Sequence, residues 1–128
     1  MSRRTVATEK APGAIGPYSQ AIKTDTMVFV SGQLPIDPGT GELVTADIKQ
    51  ETRRALNNLK EILVASGSAL ERVVKTTLYI ADMDQFAEIN EVYAEFFEGD
   101  PPARACVEVA RLPKDANVEV EAIALLNQ

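Results

Sequence analysis

The sequence predicts an α+β fold, a single domain spanning residues 1–128 in which one mixed β-sheet carries two helices on one face. Three observations point there. Two segments repeat apolar residues at helical spacing, the runs around them are β-prone, and the elements follow in the order strand, strand, helix, strand, helix, strand, strand.

The first runs, Tyr18 to Lys23 and Met27 to Gln33, flank Thr24, Asp25 and Thr26 and predict a hairpin. Pro35, Pro38, Gly39 and Gly41 then make a loop that neither strand nor helix crosses easily. Asp47 is placed to cap a helix, with Gln50 three residues on. Ile48, Ala55, Leu56, Leu59, Ile62 and Leu63 form its single apolar face, and Gly67 ends it. Val73 to Ala81 reads as a strand. A second helix starts near Asp82 or Asp84, turns Phe86, Ile89, Tyr93, Phe96 and Phe97 inward and stops by Gly99. Ala103 to Val109 and Val118 to Leu126 are the closing strands, joined by a turn at Pro113 to Asn117.

The last strand is apolar on both parities, with Val118, Val120, Ala122 and Ala124 against Ile123 and Leu125. Helices cover only one face, so the other predicts a homo-oligomer packed through its open sheets.

Composition narrows the function. The chain has 128 residues, 45% hydrophobic and 25% charged, enough for one core that buries roughly two thirds of the unfolded surface. A formal charge of −6 argues against gripping phosphate backbones. Arg3 and Arg4 precede no apolar run, so a signal peptide is not expected, and no stretch is long and apolar enough to span a bilayer. The lone Cys106 cannot form an internal disulfide, which makes a reducing, cytoplasmic setting the expectation. With no histidine there is no Cys/His set for a metal, and none of the usual proton carrier at neutral pH. Catalysis would rest on carboxylates, Tyr, Lys, Cys, Arg, water or backbone groups, with neither metal nor cofactor.

Arg104 stands between small residues in Pro102-Ala103-Arg104-Ala105-Cys106 and offers a planar fork matched to a carboxylate. Spacing alone favours an edge-strand arginine in solvent or paired with Glu108 or Glu119. Glu119 shares its strand parity with Glu121, Ile123 and Leu125, so its carboxyl can sit near apolar surface and act on a water, or simply face solvent. Cys106 lacks a histidine to activate it and reads as a small core residue. Lys23, Lys75 and Lys114 show no setting for a Schiff base. Tyr18, after the rigid Gly16-Pro17 turn, and Ser31-Gly32-Gln33 either line a pocket or cap a core and form a bulge.

Taken together, three ordered blocks resemble the reactive intermediate deaminase (RidA/YjgF) family of imine and enamine deaminases. They are Ala14-Ile15-Gly16-Pro17-Tyr18-Ser19-Gln20, Ser31-Gly32-Gln33, and the run from Pro102 to Pro113, continued by Val118 to Ala124. Pro101 stands where an aromatic residue often precedes Pro-Ala-Arg, and Ala105 where serine is frequent.

The resemblance implies a chorismate-mutase-like fold and a homotrimer with sheets facing inward and clefts between subunits. It implies that Arg104 binds a substrate carboxylate, that backbone near Cys106 adds hydrogen bonds, that Glu119 holds a water, and that Tyr18, Ser31, Gly32 and Asn90 line the cleft. The implied reaction is hydrolysis of 2-imino acids such as 2-iminobutanoate and 2-iminopropanoate to 2-oxo acids and ammonia. A regulatory module that binds small carboxylates, or a ribonuclease or translation inhibitor, are the alternatives.

Overall fold

The computed structural model describes residues 2–126. Its strands are β1 (Arg4–Val6), β2 (Ala21–Lys23), β3 (Met27–Gln33), β4 (Val73–Ile80), β5 (Ala103–Glu108) and β6 (Val118–Leu125); its helices are α1 (Ile48–Ala65) and α2 (Phe86–Phe96). They form one six-stranded sheet in the order β1-β2-β3-β6-β4-β5, antiparallel except where β4 lies parallel to β5. α2 is the crossover of that parallel pair, as a βαβ unit requires.

The expected α+β architecture is present, with three differences. β1 was not expected: three residues carry too little pattern to stand out, and they become a strand by pairing with β2. Tyr18 does not begin a strand. Its N–H turns back to Gly16 O at 2.8 Å, and the chain joins the sheet only at Ala21. Three strands also end one residue early, β4 at Ile80, β5 at Glu108 and β6 at Leu125.

α1 follows its sequence signals. Asp47 Oδ1 accepts from Gln50 N at 2.8 Å. At the other end Gly67 takes a φ of 85° and donates to Val64 O, while Ser68 N donates to Leu63 O, the double bond of a Schellman stop. Leu56, Leu59, Ile62 and Leu63 are fully buried against Val28, Leu78, Val118 and Val120 of the sheet. Each such side chain contributes about 1.5–3 kcal/mol of burial. α2 begins after a 3-10 turn at Met83–Gln85, capped by Asp82, and buries Ile89, Val92 and Tyr93 in the same core.

The helix-covered face of β6 carries Val118, Val120, Ala122 and Ala124; the opposite face carries Glu119, Glu121, Ile123 and Leu125. Phe29 pairs with Ile123, and Phe29, Leu125 and Val107 stand among the exposed large hydrophobic side chains. The second face of the sheet is thus open and partly apolar. No helix among the described residues is long and apolar enough to cross a membrane.

α1 also buries polar groups that its periodicity did not reveal. Asn58 donates to Leu34 O and Ile36 O and accepts from Arg54, which ties the loop after β3 to the helix. Glu51 is buried with Asn117 Nδ2 donating to its carboxylate at 3.1 Å. Burial pushes the Glu51 carboxyl above the usual range, and nearby Asp47 adds to this; Asn117 pulls it down by less. A raised folded-state value favours the folded chain only below the unfolded carboxylate range, and that contribution is lost as pH rises through the folded value. Glu51→Gln keeps an acceptor for Asn117 without the desolvated charge. It will therefore raise Tm by about 2–4 °C at neutral pH, with no gain once the pH falls below the carboxylate range, as thermal melts at the two pH values will read.

Candidate functional site

The strand registers separate the candidate residues onto two faces. Thr76 is the neighbour of Arg104 in the β4–β5 ladder, and Leu78 that of Cys106. Thr76 and Leu78 are fully buried beneath the helices, so Arg104 and Cys106 project from the helix-covered side at the sheet's edge. Glu119 pairs with Tyr79, on the other parity of β4, and projects from the open face. Arg104 and Glu119 of one chain therefore lie on opposite sides of one sheet.

On the helix side, Arg104 lies against α2. Its Nη1 donates to Asn90 Oδ1 at 2.7 Å. Its guanidinium carbon is 4.7 Å from the Tyr93 ring centroid and 5.4 Å from that of Phe86. Residues 86, 90 and 93 share one stripe of the helix, which is why all three reach the same side chain. The ion pairs among the described residues are Lys49–Glu91, Arg53–Glu95 and Arg111–Asp115, and none takes Arg104. Glu108, an expected alternative partner, instead accepts from Met83 N at 2.7 Å. The guanidinium opens on a cleft of ≈ 440 Å³ lined by Asn90, Tyr93, Ala94, Phe97 and Pro102.

Cys106 is half-buried and packs against the core. Burial pushes its thiol up and Arg104 pulls it down by less, so it stays a neutral thiol at neutral pH and a weak nucleophile.

The open face gathers the remaining residues. A Cβ built on Gly32 would stand 2.8 Å from Glu119 Cδ, so a side chain there would push that carboxylate from its place against the β3 backbone. The β3–β6 register shifts between Val30 and Gln33, which places the Ser31-Gly32 pair in a bulge, as one sequence reading held. Ser31 Oγ donates to Ser19 O at 2.6 Å and Ser31 N donates to Gln20 O, which fastens the bulge to the Tyr18 loop. Tyr18 is half-exposed, with its hydroxyl oxygen accepting from Ile15 N at 3.4 Å. Tyr18, Gly32, Gln33, Leu34 and Lys114 border a second cavity of ≈ 270 Å³. Burial raises the Glu119 carboxyl above the ordinary range, and the charge of Glu121 raises it further.

The candidate residues thus fall into two groups, Arg104 with Asn90 and Cys106 on one side of the sheet, and Glu119 with Tyr18, Ser31 and Gly32 on the other. Sequence reasoning gave no separate role to Gln20. Its buried amide accepts from Thr8 N and donates to Thr8 O, Ala11 O and Pro12 O, so it holds the N-terminal loop that frames Tyr18. A glutamine beside a Pro-Gly-rich loop is the signal for such a latch.

A family model described as Endoribonuclease L-PSP, that of the RidA/YjgF proteins, matches residues 8–126. The chain belongs to the RidA/YjgF family. A RutC family protein of Pyrococcus abyssi is 55% identical over 124 residues, covering 97% of this chain and 98% of the relative. The human protein named 2-iminobutanoate/2-iminopropanoate deaminase is 47% identical over 123 residues, covering 96% of this chain and 90% of its own. Among solved structures, E. coli TdcF with bound serine superposes with a TM-score of 0.93 at 47% identity, covering 97% of this chain and 99% of that one. This RidA/YjgF chain is therefore similar over almost its whole length to relatives that carry a deaminase name and to others named only by family.

Proposed function

We propose that the protein is a cytoplasmic enzyme that hydrolyses reactive 2-imino acids and their enamine tautomers, 2-iminobutanoate and 2-iminopropanoate among them, to 2-oxo acids and ammonia. The observation that carries this reading is Arg104, an oriented guanidinium with no acidic partner among the described residues, opening on a cleft of mixed polar and apolar lining. Such a group takes a small carboxylate bidentately. The mammalian relatives named as deaminases support the imine as substrate.

Because Arg104 and Glu119 sit on opposite faces, one chain cannot present both to one small molecule. A ring of copies packed through their open faces brings the Glu119 face of one copy to the Arg104 edge of the next, and a homotrimer is the assembly we propose. In that cleft Arg104 fixes the carboxylate and the imine carbon faces Glu119. Glu119 takes a proton from water as the oxygen bonds to that carbon, giving a tetrahedral carbinolamine. The imine reacts in its protonated form, so nitrogen is already NH2 at this stage; Glu119 passes its proton to that nitrogen, the C–N bond breaks and ammonia leaves, and the hydroxyl gives its proton back to Glu119 as the C=O of the 2-oxo acid forms. Imines of this kind already react with water, so orientation and one general base suffice.

The direct test is 2-oxobutanoate formation while an amino acid dehydratase generates the imine in situ. The protein is expected to accelerate it. No acceleration over a panel of imino acids, combined with tight binding of 2-oxo acids, would make the cleft a sensor instead.

The Glu119 environment sets the pH dependence. A general base works only when ionised, so activity will fall as pH drops through its raised value. Glu121→Gln removes the like charge, lowers that value and will move the acid limb of kcat/KM to lower pH. Glu119→Gln will lower kcat by about 100-fold or more while 2-oxobutanoate binding changes little. Equal losses in both would make Glu119 a structural residue.

A further inference from the structure

We propose that Tyr93, assisted by Phe86, is a positioning residue for Arg104, its ring forming the platform that fixes the plane of the guanidinium. The consequence for substrate rests on the reading of Arg104 as the carboxylate anchor; the platform itself does not.

An arginine side chain turns about several torsions and loses considerable rotamer freedom when it is held in one pose. On binding a carboxylate, an unordered arginine gives up that freedom at the expense of affinity. Arg104 is ordered in advance by few contacts. One hydrogen bond to Asn90 fixes the position of Nη1 and leaves the plane of the fork able to rotate. The plane is set by the two rings, of which Tyr93 is the nearer at 4.7 Å.

Tyr93 is itself held by two contacts and by its burial. Its hydroxyl is 2.7 Å from Thr76 Oγ1, a fully buried group and the ladder neighbour of Arg104. The Phe97 ring packs beside it, with centroids 4.6 Å apart and planes tilted by 35°. Tyr93 is only 6% exposed, so the ring has little space to swing. A leucine would fill part of the volume but would offer no π-face. The chain Thr76–Tyr93–Arg104 thus carries the rigidity of the core to a side chain at the sheet's edge, leaving the remaining guanidinium donors for the cleft.

Tyr93→Leu and Tyr93→Phe separate this role from packing. In the wild type and in Tyr93→Phe, the Arg104 Nε–H resonance is expected at an upfield position from the ring current, and in Tyr93→Leu it should return toward the ordinary arginine range. Binding of 2-oxobutanoate should weaken about threefold to twentyfold in Tyr93→Leu, with KM for imine rising more than kcat falls. Tyr93→Phe should recover most of that loss although its Tm drops, because buried Thr76 loses its partner. A role confined to packing would make affinity follow Tm through both variants.

An Arg104 resonance unchanged between the wild type and Tyr93→Leu would overturn the platform, and so would equal loss of affinity in the Phe and Leu variants. If Tyr93→Leu does not fold, Phe86→Leu removes the more distant ring and should give the same shift and affinity change in smaller measure; no change in either would overturn the proposal. A wild type that neither hydrolyses imines nor binds 2-oxobutanoate would refute the functional reading alone, since the resonance still decides on the platform.

Discussion

Arg104→Ala will lower kcat/KM for 2-iminobutanoate by about 100-fold to 1000-fold, while melting temperature and oligomeric state stay near those of the wild type. The size of the loss follows from what the residue does in the proposed cleft. A bidentate guanidinium–carboxylate contact both holds the imino acid and fixes the angle at which its C=N carbon meets the water. The small effect on stability follows from position: Arg104 is at the sheet's edge, bonded to Asn90 and lying over the Tyr93 ring, with no ion pair among the described residues to break. Arg104→Lys should recover only part of the loss, because an ammonium keeps the charge but has neither the fork nor the flat face that lies over Tyr93. The measurement is the coupled assay with each variant, alongside sedimentation and a thermal melt. Wild-type rates in folded Arg104→Ala would end the assignment of Arg104 as anchor, and with it the reading of this cleft.

Much of the architecture was legible because its signals are local. The Asp47 cap, the apolar stripe of α1 and the Gly67 stop lie within one stretch of chain, and each acts through neighbours in sequence. The two-sided apolar pattern of β6 likewise announced an open sheet face. Features made by distant segments did not show. β1 exists through its pairing with β2, and Asn58 is buried because the loop after β3 brings it carbonyls. Tyr93 is the most instructive case. Helical spacing marked it as core, which it is, but its contact with Arg104 depends on α2 folding back over the β4–β5 pair. The side of the sheet taken by Arg104 was hidden for the same reason. Strand parity says which residues share a face within one strand, and only the register between β4, β5 and β6 says that Arg104 and Glu119 do not.

That opposition of faces gives a second prediction with a large effect. Arg104→Ala and Glu119→Gln will each be nearly inactive alone, yet oligomers mixed from the two will regain activity. If every cleft takes Arg104 from one copy and Glu119 from the next, some clefts of a mixed ring meet with the unaltered face of each. In a mixed ring of three, about one cleft in three is intact whichever variant is in excess. Those clefts should have the KM and pH profile of the wild type, because no substituted residue lies within them. A site completed inside each chain regains nothing, since every chain then carries one defect in its own site. Co-expression with two different tags, purification of doubly tagged oligomers and assay of imine hydrolysis will distinguish these outcomes. Doubly tagged oligomers of the correct mass that remain inactive would show that the two half-sites do not meet across subunits. Glu119 would then have to act on the open face without Arg104, and the water-directing role proposed for it would fall.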